Sequence, residues 1–153
     1  MDIAAVESLL AGAIALKDAS LVIFRRGLLV EFKTEALSPG ICSSAEGEHR
    51  SWQIGPFEGH HCHLDLNAVQ RIEFHAEPVS CQGGRLNYTV WFLSVDDCGN
   101  PYRPDGLFSV TLNRPYTEDG VPRHDVISPM YELYETYARD GCVGATEAFH
   151  NAR

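Results

Sequence analysis

The sequence predicts an α+β domain in which a largely antiparallel β-sheet is flanked by an N-terminal and a C-terminal helix. Apolar residues recur at helical spacing near the two ends of the chain, about seven short β-rich segments lie between them, and turn residues separate those segments. With 153 residues, 44% of them hydrophobic and 22% charged, the chain is long enough to bury one core. We therefore assign residues 1–153 to a single domain.

The charge and cysteine content exclude several classes of protein. The formal net charge of −9, from 21 acidic and 12 basic residues, repels phosphate backbones, so we expect no nucleic-acid partner. No run of 18 apolar residues occurs, so we expect no membrane partner. The five cysteines form no C-x-x-C pair, and the chain begins without a basic signal-peptide region. Together these features predict a cytoplasmic protein with reduced thiols.

The first predicted element is an amphipathic helix over residues 2–17. Asp2 is available as its N-cap, because a carboxylate can accept a hydrogen bond from a free backbone N–H of the first turn. One stripe of this helix is apolar and is expected to pack on the rest of the domain. Its members are Ile3, Val6, Leu10, Ala13 and Ile14.

Two β-rich runs follow, at residues 21–24 and 28–32. The Arg-Arg-Gly sequence between them predicts a tight hairpin, since glycine adopts the positive φ that such turns require. Residues 35–48 contain serine, proline and glycine, and this composition predicts a loop.

A histidine-rich strand is predicted at residues 61–66, after a short strand at 51–54. Side chains alternate along a strand, so Leu64 and Leu66 share one face and are expected to point into the core. The other face turns three polar side chains toward solvent or a cleft. They are His61, His63 and Asp65.

Three more strands complete the predicted sheet. Residues 70–77 alternate between apolar and polar positions, which predicts a strand with one wet face, and both Arg71 and His75 are on that face. Residues 86–95 carry large apolar groups at both alternating sets, as is typical of a central strand covered on both faces. A further strand is predicted at 107–113.

The C-terminal part of the chain predicts a loop followed by a helix. Residues 114–127 contain two prolines and are expected to be a loop. Ser128 and Pro129 then supply an N-cap and a first-turn proline, and Gly141 is a plausible residue for the C-terminal stop.

The two histidines on one strand face favour a metal site. Imidazole is a common protein ligand of both zinc and iron, and His61 and His63 point the same way. A zinc site needs at least three converging ligands, and His75 or Asp65 are the available third ligands. A polar strand face with solvated histidines remains the alternative. The sequence contains no P-loop, no G-x-S-x-G and no G-x-G-x-x-G motif, so we assign no catalytic residue.

Several segments, taken in order, resemble the intracellular haem-utilisation proteins of the HutX/ChuX type and one half of the duplicated HemS type. The resemblance runs from about Ala19 to Pro115, and the C-terminal helix continues it. It rests on the order and spacing of five segments: residues 28–32, 63–74, 90–93, 97–100 and 108–112. The resemblance implies the HemS/ChuX-like α+β fold.

The resemblance also implies a ligand and a site. His63 matches a haem-iron ligand position of the family, whereas the second ligand position falls near Phe24, which cannot coordinate iron. A single histidine still gives a five-coordinate haem, or His61 or His75 completes the set. Arginine or lysine is expected to bind the propionates, and the candidates are Arg25, Arg26, Arg71 and Lys33. Members of the family bind haem in the cytoplasm and pass it on, so the resemblance implies a carrier or storage role rather than catalysis. It also implies a homodimer.

These observations leave three hypotheses about function. The first is a haem-binding or haem-handling protein with His63 as the axial ligand. The second is a mononuclear metal site built from His61, His63 and His75. The third is a protein that has kept the fold, lost the cofactor and acts through protein contacts, with its cleft filled by side chains such as Phe24 and Trp52.

Overall fold

The structure, a computed structural model, describes residues 2–25, 27–37, 42–46, 49–54, 58, 61–80, 83–138 and 143–153, with the backbone alone at 42–46, 49 and 50. In this part of the chain four α-helices and nine strands alternate in an α+β fold. The helices are α1 (Ile3–Ile14), α2 (Thr34–Leu37), α3 (His124–Tyr137) and α4 (Glu147–Asn151). The strands are β1 (Ala19–Arg25), β2 (Leu28–Lys33), β3 (Cys42–Glu46), β4 (His49–Ile54), β5 (Cys62–Asp65), β6 (Arg71–Val79), β7 (Arg85–Leu93), β8 (Gly106–Leu112) and β9 (Val143–Ala145).

The main sheet has the strand order β2-β1-β8-β7-β6-β9. Every pairing in it is antiparallel except that of β6 with β9, so the predicted, largely antiparallel architecture is confirmed. The predicted hairpin joins β1 to β2 with Arg25 opposite Leu28, and Gly27 has a φ of 77°. β7 lies between β6 and β8, as its two-sided apolar pattern predicts.

A second, three-stranded sheet has the order β3-β4-β5. β5 is its edge strand and leads directly into a short 3₁₀ turn, Leu66–Ala68, for which the Asp65 carboxylate accepts a hydrogen bond from the Asn67 backbone N–H at 3.0 Å. This turn packs against α1 and β4, which joins the small sheet to the rest of the core.

The helices cover one face of the main sheet. Phe74 of β6 lies 5.4 Å from the ring of Tyr134 in α3 and 5.6 Å from that of Phe149 in α4. The Tyr131 hydroxyl donates to the Phe149 carbonyl at 3.0 Å and ties α3 to α4. Because successive side chains alternate, the opposite face of β1, β8, β7 and β6 carries no helix from the described residues and is here called the open face.

The start of the C-terminal helix differs from the prediction. α3 begins at His124, and Ser128 and Pro129 lie inside it rather than at its cap. Burial explains the difference, because Val126 and Ile127 extend the apolar stripe one turn earlier and are both buried. Gly141, the expected stop, lies outside the described residues.

Two further segments differ from the predictions. Residues 35–48, expected to be a loop, include the end of α2 and the whole of β3. After α3 the chain adds β9 and α4, which the sequence patterns did not indicate. β9 has three residues and α4 five, so both are too short for a periodic pattern to emerge. Within the described ranges, every helix is too short to reach across a bilayer.

Candidate functional site

The histidine strand β5 has the facing that the sequence predicts. Leu64 is buried in the core, and its neighbours His63 and Asp65 are exposed. His61 is exposed next to the strand, and its ring lies 5.1 Å from that of His63 in an edge-on arrangement with an interplanar angle of 81°. The two imidazoles are therefore neighbours on one solvent-facing surface.

The imidazole of His63 is available to a ligand. Among the residues that the structure describes, it contacts the ring of His61 and forms no hydrogen bond. Its side chain is exposed on an edge strand, so a ligand can approach it from solvent. A ring nitrogen without a hydrogen-bond partner is the requirement for an axial iron ligand.

Gln53 of β4 stands directly opposite His63 in the β4–β5 pair. Directly opposed residues share one sheet face with their Cβ atoms about 5 Å apart. Gln53 is only 7% exposed, and its Nε2 has no hydrogen-bond acceptor within the described ranges. A buried amide donor without a partner costs free energy, so a ligand oxygen held at His63 would relieve that cost.

His75 is buried, and this corrects the expectation that it lies on a wet strand face. It is 7% exposed, and both of its ring nitrogens are engaged. Nδ1 lies 2.8 Å from Oε1 of Glu77, and Nε2 lies 2.7 Å from Nη1 of Arg103 and 3.0 Å from Oε2 of Glu73. The chain segment that follows β7 folds back over β6 and covers the ring, which the alternation within β6 alone does not reveal.

The contact with Glu77 shows which nitrogen of His75 donates. A carboxylate can only accept, so Nδ1 carries a proton and donates to Glu77, whereas Nε2 faces both the carboxylate of Glu73 and the guanidinium of Arg103. Arg103 also donates to Glu73 at 2.7 Å. In this arrangement His75 has no nitrogen left for a metal.

The three histidines of the metal hypothesis are thus in different situations. His61 and His63 lie together, whereas His75 is on the main sheet with its nitrogens occupied. Across the described ranges there is no group of three or more histidine, cysteine, aspartate or glutamate side chains arranged to hold a metal ion.

Of the three arginines expected to bind propionates, two are described. Arg71 is bonded to Glu73 and to Asp105, each at 2.8 Å, so its charge is already matched. Arg25 is exposed and donates to the backbone carbonyls of Phe24 and Leu107, and among the described residues no carboxylate pairs with it. Arg26 lies outside the described residues.

A cleft of about 230 Å³ lies on the open face of the main sheet. One wall is aromatic: the Phe24 ring lies 6.2 Å from that of Trp91 and 5.1 Å from that of Tyr102. The remaining lining residues are mostly polar. They are Val22, His75, Glu77, Asn87, Thr89, Ser109 and Thr111.

The segment between β7 and β8 supplies the two cleft-side residues that the sequence did not single out, Tyr102 and Arg103. The buried Asn100 side chain shapes this segment, because its Oδ1 accepts from the backbone N–H groups of Tyr102 and Arg103 at 2.9 and 3.2 Å. The turn-forming residues at 96–101 do not by themselves determine over which strand this segment folds.

Solved structures share this architecture. The crystal structure of ChuX matches with a TM-score of 0.62 and 7% identity, over 91% of this chain and 76% of that one. A structure described as the haem-binding protein ChuX matches with a TM-score of 0.57 and 7% identity, over 86% and 72%. The chain has a ChuX-like fold. An Agrobacterium tumefaciens protein also matches, with a TM-score of 0.55 and 13% identity over 92% and 68%.

The predicted resemblance to the HutX/ChuX type is confirmed at the level of the fold. No protein-family model and no curated protein sequence matches the chain. At identities of 7% and 13% the ChuX-like fold does not carry a ligand with it, so the ligand has to be argued from the residues. One observation fits a haem iron at His63, namely an exposed imidazole that forms no hydrogen bond among the described residues.

Proposed function

We propose that this ChuX-like protein binds haem, with His63 as the axial ligand of the iron, and acts as a carrier or store rather than as an enzyme. The observation that carries the proposal is the state of the His63 side chain. Of the candidate histidines, it is the one that the structure describes as exposed, on a strand edge and without a hydrogen bond. His75 lacks a free nitrogen, and His61 stands beside His63 as a second imidazole.

Two groups support the proposal, one opposite His63 and one on the main sheet. The buried amide of Gln53 has an N–H group without an acceptor in the described residues, and a carboxylate of haem would accept from it once the side chain turns outward. Arg25, on the main sheet, is an exposed guanidinium that is paired with no carboxylate of the described residues. Haem iron supplies the coordination chemistry when bound, while the contribution of the chain is an imidazole and hydrogen-bond donors.

The experiment is a titration of the purified protein with hemin, followed by the Soret band. We expect a saturable band shift at about one hemin per chain in the wild type, and its loss or displacement in His63→Ala. His124→Ala is the matched control, because His124 is also exposed but lies at the start of α3, and this variant should titrate like the wild type. No specific band in the wild type, or equal bands in all three proteins, would remove the proposal.

A second candidate function is a protein that keeps the fold but works through protein contacts. The cleft on the open face favours it, because about 230 Å³ is below the roughly 300–1,000 Å³ of typical small-molecule sites. Phe24 is buried there against Trp91 and Tyr102 and occupies space. Trp52, the other residue expected to fill the cleft, instead packs in the core opposite Leu64. A wild-type protein that gives no hemin band would favour this candidate.

The proposal includes a cytoplasmic homodimer. Cys62 and Cys98, two of the cysteines in the described ranges, are free thiols, which is consistent with a reducing compartment. The edge strand β2 leaves Leu28 and Leu29 exposed, and an exposed apolar edge is a surface that a second copy can cover. Light scattering of the wild type and of Leu29→Lys tests this part, and a monomeric wild type would contradict it.

A further inference from the structure

Beside the open-face cleft the negative charges of the carboxylates outnumber the positive charges of the guanidiniums. Each of the two guanidiniums bonds to the same two carboxylates, which closes a four-membered ring of ion pairs with a net charge of zero. Its members are Arg71, Arg103, Glu73 and Asp105. Glu77 stands outside this ring and bonds to His75, and no arginine or lysine pairs with its carboxylate in the described part of the chain.

Glu77 also lines the cleft. One carboxylate oxygen accepts from Nδ1 of His75 at 2.8 Å, and the side chain remains 66% exposed, so the second oxygen is accessible to a ligand. The hydrogen bond holds the carboxylate in place against the buried imidazole. A fixed carboxylate that no arginine or lysine neutralises, at the rim of a cleft, attracts cations, and the net charge of −9 for the whole chain adds to that attraction.

The wall of the cleft is suited to the same kind of ligand. Phe24, Trp91 and Tyr102 form one continuous aromatic surface, with neighbouring ring centroids 5.1 and 6.2 Å apart. The π-face of an aromatic ring attracts ammonium groups, and tryptophan attracts them most strongly. An aromatic wall with a carboxylate at its rim is the combination that recognises organic cations.

The polar side chains on the floor of the cleft hydrogen-bond to one another. Thr89 and Thr111 hydrogen-bond to each other at 3.0 Å, and the amide of Asn87 donates to Thr89 at 3.3 Å. Because these groups already satisfy one another, a ligand that lacks strong donors can lie on them without leaving them unpaired. The volume of about 230 Å³ suits a ligand much smaller than a macrocycle.

We infer that the cleft lined by Phe24, Trp91, Tyr102 and Glu77 binds a small organic ammonium ion. This site is separate from the one proposed for haem, because His63 lies on the small sheet and does not line the cleft. The negative charge of Glu77 would also repel the carboxylates of haem. Binding of an ammonium ion in the cleft is therefore independent of haem binding.

The test uses choline as the probe and its uncharged isostere, 3,3-dimethylbutan-1-ol, as the comparison. The chain has two tryptophans, so a ¹⁵N-labelled sample gives two indole N–H signals, and Trp91→Leu identifies which belongs to the cleft. We expect choline to shift the Trp91 signal in a saturable way and to leave that of Trp52 unchanged. The uncharged isostere should bind at least about fivefold more weakly, because it keeps the shape and loses the cation–π and carboxylate attraction.

Glu77→Gln tests whether the negative charge of Glu77, rather than its shape, contributes to choline binding. The glutamine carbonyl can still accept from Nδ1 of His75, so the network should survive while the charge is lost, and choline affinity should fall at least about fivefold. Glu118→Gln is the matched control, because it removes one exposed carboxylate that does not line the cleft and should bind choline like the wild type. Equal affinities for choline and its isostere, an unchanged affinity in Glu77→Gln, or no shift at Trp91 would each overturn the inference.

Discussion

Nη1 of Arg103 lies 2.7 Å from Nε2 of His75, and this contact decides which histidine is available to a ligand. Arg103 and Glu73 engage one ring nitrogen of His75, and Glu77 accepts from the other. The residues after β7 thereby convert a strand histidine into a structural one. His63, on the edge of the small sheet, has no such partner in the described residues.

Replacing Arg103 by methionine should destabilise the protein. The Arg103 side chain is 19% exposed and contacts Glu73, Asp105 and His75, so its loss leaves the two partly buried carboxylates to Arg71 alone and removes the guanidinium from the buried imidazole. We expect the free energy of unfolding to fall by about 2 kcal/mol in urea denaturation.

The control for this prediction is Arg114→Met. The Arg114 side chain is 74% exposed and pairs with Asp18, which keeps Arg123 as a partner. We expect a change of less than about 0.5 kcal/mol. Similar losses in the Arg103 and Arg114 variants would show that the His75 network contributes no special stability.

Replacing Gln53 by methionine should move stability and haem affinity in opposite directions. The apolar side chain removes the unpaired Nε2 donor, so the ligand-free protein should gain about 1 kcal/mol in the free energy of unfolding. If Gln53 donates to a ligand at His63, the same variant should bind hemin several-fold more weakly. Urea denaturation without hemin and a hemin titration measure the two effects.

Gln70→Met is the control for Gln53, since Gln70 is exposed and its amide donates only weakly, to the Asn67 carbonyl at 3.4 Å. It should change neither quantity appreciably. A Gln53 variant that loses both stability and affinity would indicate a purely structural role for the glutamine.

Acid should weaken the fold through Asp18. The hydrogen bond from Arg123 lowers the pKa of Asp18, burial opposes it, and Arg114 lowers the pKa further, so the folded-state value lies below the ordinary 3.8. A carboxyl group with a depressed folded-state pKa contributes stability above its unfolded pKa and loses that contribution as the pH falls through the folded value. Wild-type stability should therefore decline below about pH 4.

Asp18→Asn isolates this effect. Asp18 has a φ of 52°, which asparagine tolerates, so the backbone should be kept. Unfolding measured from pH 7 to pH 3 should show a gap in stability between the two proteins that is constant at neutral pH and narrows in acid. A gap that stays constant down to pH 3 would contradict the role assigned to the Asp18–Arg123 pair.

The sequence predicted those features of the fold that depend on neighbouring residues, such as the alternation of side chains along a strand and the glycine of a turn. The alternation of β5 placed Leu64 inside and His63 outside, and the sequence of the β1–β2 turn gave a glycine with positive φ. The two-sided apolar pattern of β7 predicted its central place. In each case the pattern and the outcome lie within one strand or one turn.

The failures have a common physical origin in contacts between distant segments. His75 was expected on a wet face, but Arg103, which is 28 residues away, covers it. α3 begins earlier than its apparent serine cap, because burial of Val126 and Ile127 outweighs the preference for that cap. The short strand β9 is held by pairing with β6 rather than by a pattern of its own.

The candidate site was predicted in part. His61 and His63 were placed together by strand alternation and do lie side by side. The aromatic wall of the open-face cleft was not predicted, because Phe24, Trp91 and Tyr102 come from three segments that only the sheet order brings together. Haem ligation by His63 stays a prediction.

The most direct test of the central claim is the spectrum of the hemin complex of His63→Gly with and without added imidazole. If the His63 ring binds the iron, the variant should lose the wild-type Soret position, and free imidazole should restore it by entering the space that the ring has left. A variant that shows the wild-type spectrum without imidazole would contradict the claim.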